Sequence, residues 1–305
     1  MRRSERAGVT YGPPESGSAL RFVARVLALA AFHAPLVLMV VFLVVPLGLT
    51  LVWSVFERTA FWMEPGFSLE AYRSFFGTAR FENFSLAVLH SGVAVVVCFV
   101  LGFPIAVFVR RSVVEAAQHK AVLLFILPFM ISEVIRLFSL RPVLGRNGLV
   151  NDALIGLGLI DQPLSILIYT PTGVVIGEVM SFLPFMVFCS FLAMEAVPRY
   201  VFEVCDDVGS GVWTTLRAVI VPLAAPGIFA GVIFIFVNGL GVFLIPDILG
   251  GPGAVNAGTL VLNAISALDF PLAMAIAAVM VVLMVALLYL GHRLFNLTRL
   301  LEPIR

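Results

Sequence analysis

Six long apolar runs constrain this sequence more than any other feature. A helical crossing needs about 20 predominantly apolar residues to span ~30 Å of hydrocarbon. The runs extend from about Ala34 to Phe56, Ser85 to Val109, Ala121 to Leu140, Thr172 to Met194, Gly227 to Leu249 and Pro271 to Leu294. Composition agrees, with 61% of residues hydrophobic and 12% charged, against ~45–50% apolar and ~25% charged in soluble domains. A soluble globule needs more polar surface than this chain owns, and a disordered chain needs far fewer apolar residues. The expected fold is all-α and polytopic, with six transmembrane helices. Pro46, Pro104, Pro128 and Pro184 lie inside the runs, which membrane helices tolerate when neighbours satisfy the freed carbonyls.

Net charge is +1 and decides little; its distribution sets the orientation. Basic residues near the ends of membrane helices stay on the cytoplasmic side. Arg2, Arg3, Arg6, Arg21, Arg25, Arg110, Arg111, Lys120, Arg199, Arg217, Arg293, Arg299 and Arg305 fall on one side of the six runs, and Arg58, Arg73, Arg80, Arg141 and Arg146 on the other. Both termini are therefore expected to be cytoplasmic. Val26–Ala31 is short for the core of a signal peptide, and the apolar stretch resumes after Pro35 with no polar mature start, so the N-terminus reads as retained. Leu20–Phe32 reads as a basic amphipathic lead-in at the interface, and residues 1–18 as a flexible tail. The expected organisation is a tail and lead-in over 1–33, a transmembrane domain over 34–295 with a patterned loop at 196–226, and a cytoplasmic tail over 296–305.

On the external side, Leu69, Tyr72, Phe75 and Phe76 have helical spacing, and Asn151–Leu159 reads as a second short helix after the Asn147-Gly148 turn. No internal repeat is visible, which weakens the reading of a secondary transporter built from inverted halves. The chain has one lysine, Lys120, preceded by His119. A phosphate-binding loop needs Gly-Lys-Ser/Thr, so nucleotide hydrolysis is not expected on this chain. Cys98, Cys189 and Cys205 show neither a disulfide framework nor metal-ligand spacing; no cofactor or metal is implied.

The loop between the fourth and fifth runs carries the most information. From Pro198 to Ile228 it reads as helix, turn, helix. Val201, Cys205 and Val208 share one face of the first piece, and Gly209 stands where a helix would stop in the left-handed conformation. Trp213, Leu216 and Ile220 form a stripe on the second piece, which Pro222 and Pro226 are expected to break before the fifth crossing begins. An apolar stripe outside the bilayer needs a cover, and a partner protein supplies one.

These residues resemble the Glu-Ala-Ala loop of binding-protein-dependent ABC importer permeases: Glu203, Gly209 and Pro222 stand at the family's spacing, with Val219 and Val221 for its Ile and Leu. Val204 and Cys205 replace the two alanines. Shorter strings resemble the polyamine-type members in the family's order: Leu144-Gly145-Arg146-Asn147-Gly148-Leu149-Val150-Asn151, Leu157–Asp161, Leu183-Pro184-Phe185-Met186 and Pro246-Asp247-Ile248-Leu249-Gly250-Gly251. The resemblance, to spermidine/putrescine importer permeases in particular, covers about residues 34–295. It implies the type I importer permease fold and an inner-membrane subunit without catalytic residues. The implied partners are an ABC ATPase dimer, a second permease subunit that is usually a paralogue, and a periplasmic solute-binding protein. It also assigns ATPase coupling to Glu203, Gly209 and Pro222, with Asp207 nearby.

Ionisable groups inside apolar runs are costly and are functional candidates. Glu133 and Arg136, three apart, share a helix face and read either as a structural pair or as lining of a substrate path. Glu178 has no basic neighbour in sequence and reads as a path carboxylate for a cation, or as a buried or interfacial group. Asp247, before a glycine-rich turn, reads as a cap of that turn or as a surface facing a docked partner. Phe182, Phe185, Phe188 and Phe191 read as packing rather than as a cation cage. Two rival readings have their own signatures: a secondary transporter would work without an ATPase, and an intramembrane protease would need Ser210 as nucleophile, although that residue lies outside every run and lacks the flanking motif.

Overall fold

The computed structural model describes residue 31, residues 33–251 and residues 254–295. The expected tail over 1–18, most of the lead-in and the tail over 296–305 lie outside the described residues. The chain forms two compact units, Met1–Val52 and Trp53–Arg305. The first contributes nearly all of helix α1 (His33–Trp53), which is apolar enough to cross a membrane. A π turn at Val40–Val44 ends two residues before Pro46, so the hydrogen-bond register shifts close to where the proline withholds a donor.

In the second unit a two-stranded hairpin, β1 (Glu57–Arg58) and β2 (Met63–Glu64), is antiparallel with Arg58 opposite Met63. The expected surface helix is α2 (Glu70–Phe76), whose Phe75 is fully buried. Helix α3 (Ala79–Ser112) has 34 residues, about 50 Å at 1.5 Å per residue, so it outruns the predicted crossing at both ends. Then follow α4 (Glu115–Met130), α5 (Glu133–Leu144), α6 (Leu149–Gly156), α7 (Pro171–Glu195) and α8 (Arg199–Asp207). Helix α9 (Val212–Gly241) is followed by a π turn at Pro246–Gly250, α10 (Ala257–Ser266) and α11 (Phe270–Phe295).

Helix α7 is central and packs against α3, α4 and α9. Small residues let these helices approach, as is usual where lipid removes the hydrophobic drive between them. A Cβ on Gly231 of α9 would lie 2.8 Å from the Cys189 Cβ of α7, and one on Gly102 of α3 would lie 3.0 Å from Met186 Cγ. Three apolar clusters follow the bundle. One contains Phe103, Phe191, Ile220 and Ile228 beside α8, a second Leu137, Met186, Ile235 and Leu249, and a third Phe75, Leu240, Leu272 and Ile276.

Two expectations need correction. The third run is not one straight crossing, because the helices on either side of residues 131–132 are inclined at 87°. Ile131 and Ser132 take extended backbone angles, and Pro128 has no N–H for the carbonyl one turn earlier. Nor do Pro222 and Pro226 break the chain before the fifth crossing. Helix α9 starts at Val212 and runs through both, changing register at a π turn over Leu216–Ile220, so the donor missing at Pro222 falls next to that change. The crossing then ends at Gly241, and Pro246–Gly250 packs against α5 and α7 instead of extending it.

Candidate functional site

The hairpin of α8 and the start of α9 is closed by local chemistry. Gly209 has φ +68°, Ser210 N–H donates to Cys205 O at 2.9 Å, and Gly209 N–H donates to Asp206 O at 3.0 Å. These paired bonds are the Schellman termination, in which glycine accepts the left-handed angle without a Cβ penalty. Thr215 Oγ1 donates to Ser210 Oγ at 3.0 Å, so the would-be protease serine is part of the turn.

The exposed face differs from the expected one. Val201 packs on the bundle, Cys205 and Ile220 are buried, and Leu216 packs beside them. The stripe left open is Tyr200, Val204 and Val208, spaced by four, with Val212 beyond the turn; Tyr200 is 64% and Val208 73% exposed. Glu203 and Asp207 are exposed. Glu203 borders a polar cleft with Arg110, Arg111, Phe202 and Asp206. Arg111 Nη2 reaches both Asp206 oxygens, at 2.8 and 3.1 Å, and so ties α8 to the end of α3. Pro222 lies further along α9, exposed inside the helix.

The intramembrane charges do not converge, since no hydrogen bond joins Glu133, Arg136, Glu178 and Asp247 to one another among the described residues. Glu133 and Arg136 form no ion pair despite their spacing. Arg136 Nη1 instead donates to Pro128 O at 2.9 Å, and its Cζ lies 5.9 Å from the Phe129 ring centre, so the side chain reaches back across the bend. Glu133 Oε1 is buried without a hydrogen-bond partner.

Glu178 is 1% exposed where α3, α7 and α9 meet. Ser91 Oγ donates to its Oε1 at 3.5 Å, while Oε2 is buried with no partner. A Cβ on Gly239 would lie 3.3 Å from its Cδ, so that glycine makes room for the carboxyl. A small cavity beside Glu178 is lined also by His90, Pro246 and Asn256. Asp247 is exposed, and no side-chain hydrogen bond caps the turn. Phe182 and Phe191 are buried and Phe185 stacks on Phe234 at 3.8 Å, which fits packing.

Sequence reasoning missed two junctions at the opposite end of the bundle. Asn256 Nδ2 donates to Gly239 O at 3.2 Å and to Val242 O, while its Oδ1 accepts from Thr259 N–H at 2.9 Å. One side chain thus closes α9 and starts α10; Asn-x-x-Thr is a capping pattern readable in the sequence. Tyr169 has φ +59°, donates its N–H to Leu249 O at 2.6 Å, and accepts on Oη from Arg141 Nη2 at 2.6 Å. These bonds join α5, the entry to α7 and the turn that carries Asp247, and no local pattern announces them.

Residues 121–298 match the family described as binding-protein-dependent transport system inner membrane component. The chain is 30% identical over 234 residues to the spermidine/putrescine transport system permease protein PotB of Salmonella typhimurium, covering 75% of this chain and 81% of that protein. It is 28% identical over 227 residues to the protein of the same description from Haemophilus influenzae, covering 74% and 79%. Among solved structures it is similar to a bacterial ABC transporter chain involved in the import of the acidic polysaccharide alginate, with a TM-score of 0.70 at 16% identity, covering 91% of this chain and 99% of that one. That last likeness is one of fold.

Proposed function

The chain belongs to the family of binding-protein-dependent transport system inner membrane components, the multi-pass permease subunits of ABC importers, and from that premise we propose that its cargo is a polyamine or a related small organic cation. The observation that carries this is the similarity, over about three quarters of the chain, to permeases described as transporting spermidine and putrescine. The permease forms the path and is not an enzyme; ATP is hydrolysed on a separate subunit.

The working assembly in this reading has an ABC ATPase dimer at the hairpin, a second and non-identical permease subunit, and a periplasmic solute-binding protein at the opposite end. Both termini are cytoplasmic, residues 34–295 form the transmembrane domain, and the bent pair α4–α5 makes the third crossing. Glu203, Asp207, Gly209 and Pro222 serve coupling. The open stripe Tyr200, Val204 and Val208 is the apolar surface that the ATPase covers. Glu178, Glu133, Arg136 and Asp247 are the candidates along the path; of these, Glu178 offers the most deeply buried carboxylate, with one oxygen still to be matched, the arrangement a desolvated cation requires.

The test is ATP-driven uptake of labelled spermidine and putrescine into proteoliposomes holding the complete assembly, with equilibrium binding to its solute-binding protein. Uptake and binding of a di- or polyamine, abolished when the ATPase is left out, support the reading. A solute-binding protein that ignores cations and takes an anion or a sugar removes the cargo assignment, and uptake that persists without the ATPase restores the secondary-transporter alternative. Glu178→Gln is expected to reduce cation uptake at an unchanged membrane level; an unchanged rate returns Glu178 to a structural role.

A further inference from the structure

Beside the hairpin, α3 and the first turns of α9 leave an apolar groove open. Phe99, Val100, Phe103 and Pro104 of α3 form one wall, and Trp213, Leu216 and Val221 of α9 the other, with Arg217 among them; the open space is about 750 Å³. The floor is preorganised, because Phe99 stacks on Phe103 at 5.3 Å and Phe103 is buried. The outer edge is bare, with Val100 59% and Trp213 74% exposed.

The groove is polarised along the bundle. Its apolar end at Phe99 lies 13 residues before the end of α3 at Ser112, about 20 Å at helical rise, whereas Arg217 sits within two turns of the start of α9. A single leaflet contributes about 15 Å of hydrocarbon, so the groove runs from headgroup level into acyl depth. Tryptophan at such a level is an interfacial anchor. Arg217 is exposed and has no hydrogen bond or ion pair among the described residues, in contrast with Arg111, which is held by Asp206.

We infer that this groove is a site for an anionic phospholipid, its phosphate on the Arg217 guanidinium and one acyl chain along Phe99, Val100 and Phe103. A cation at the mouth of a hydrocarbon-deep slot complements a ligand with a negative head and an apolar tail. A zwitterionic lipid offers the guanidinium a phosphate already offset by the cation of its own headgroup, and a protein helix would have to place an acidic residue at the bilayer interface. The site does not depend on the cargo assignment; it lies on the leaflet that faces the ATPase. A lipid there contacts α3 and α9 at once, next to the hairpin.

The experiment uses the complete assembly, equilibrated with equimolar phosphatidylglycerol and phosphatidylcholine, stripped of bulk lipid and weighed by native mass spectrometry. The expected result is retention of phosphatidylglycerol over phosphatidylcholine by roughly fivefold, the preference that one basic group near the membrane surface confers. Arg217→Gln is expected to bring the ratio close to one and Arg217→Lys to keep most of it. Val100→Trp, at a position 59% exposed and so compatible with the fold, is expected to lower retention of both. No lipid preference in the wild type, or a preference that survives Arg217→Gln, overturns the proposal. So does a Val100→Cys variant that cross-links to the second permease or to the ATPase, since the groove is then a protein interface.

Discussion

The chain turns sharply at two places, and the two turns are built differently. Between α8 and α9 a glycine at φ +68° ends one helix with bonds to residues three and five positions back. Everything the turn needs lies within one short stretch of sequence. Between α4 and α5 the bend of 87° follows Pro128, whose carbonyl accepts from Ile131 N–H at 3.3 Å and also from Arg136, eight residues on and past the bend itself. The first device is local and leaves its surroundings open, so the hairpin can present a face to another protein. The second is closed by a charged side chain folded back on the main chain, and it holds two helices at a fixed inclination. The first turn leaves a face open; the second is held by a side chain.

Gly209→Val is expected to have the largest effect. A β-branched residue in the left-handed region costs about 1–2 kcal/mol and redirects the hairpin, while the space around Gly209 is open and the bundle has no reason to unfold. ATP-driven uptake is expected to fall at least tenfold with the protein still in the membrane, checked by uptake and immunoblot side by side. Gly209→Asn, which tolerates that conformation, is expected to keep most of the activity. Loss of the protein rather than of its coupling would erase the distinction between the two turns.

At the bend the order of effects reverses. Arg136→Ala removes a charge-assisted bond worth about 1.5–3 kcal/mol and leaves the Pro128 carbonyl with only the Ile131 N–H, at 3.3 Å, so thermal unfolding in detergent is expected several degrees lower. Uptake should fall only as far as stability does. Glu133→Gln is expected to leave the melting temperature almost unchanged, because Glu133 forms no ion pair with Arg136. A large drop for Glu133→Gln would show that the pair matters after all.

The same contrast explains what could be read in advance. Six apolar runs announce an all-α membrane protein because crossing length is a property of contiguous residues, and Gly209 announces its turn because the left-handed angle selects glycine. The bend is hidden: Leu127-Pro128-Phe129-Met130-Ile131 reads as continuous apolar helix, and Arg136 looks like the helical neighbour of Glu133 until the fold gives it a carbonyl. The facing of α8 is hidden for another reason. Tyr200, Val201, Val204, Cys205 and Val208 make two adjoining stripes, either of which could turn inward, and only packing on Phe103 and Ile220 decides between them. Asn256 carried a readable capping pattern, but its hold on Gly239 and Val242 depends on where α9 ends, which the apolar run overstates by eight residues, to Leu249 rather than Gly241.

The smallest expected effect tests whether the hairpin is as autonomous as its turn. Asp206→Asn breaks the two-pronged contact from Arg111 while leaving α8 its length and Gly209 its geometry. The pair is largely solvated, with Asp206 at 59% side-chain exposure, and exposed pairs contribute about 0.2–1 kcal/mol, so no measurable change in melting temperature is expected. A mechanical role predicts something else. If the contact makes α8 and α3 move together, ATP turnover by the assembly should persist while uptake per ATP drops by roughly half, and high salt should produce the same loss in the wild type by screening the pair. Unchanged coupling in both measurements would mean that the local turn suffices and that Arg111 serves only to fix the orientation of the chain in the membrane.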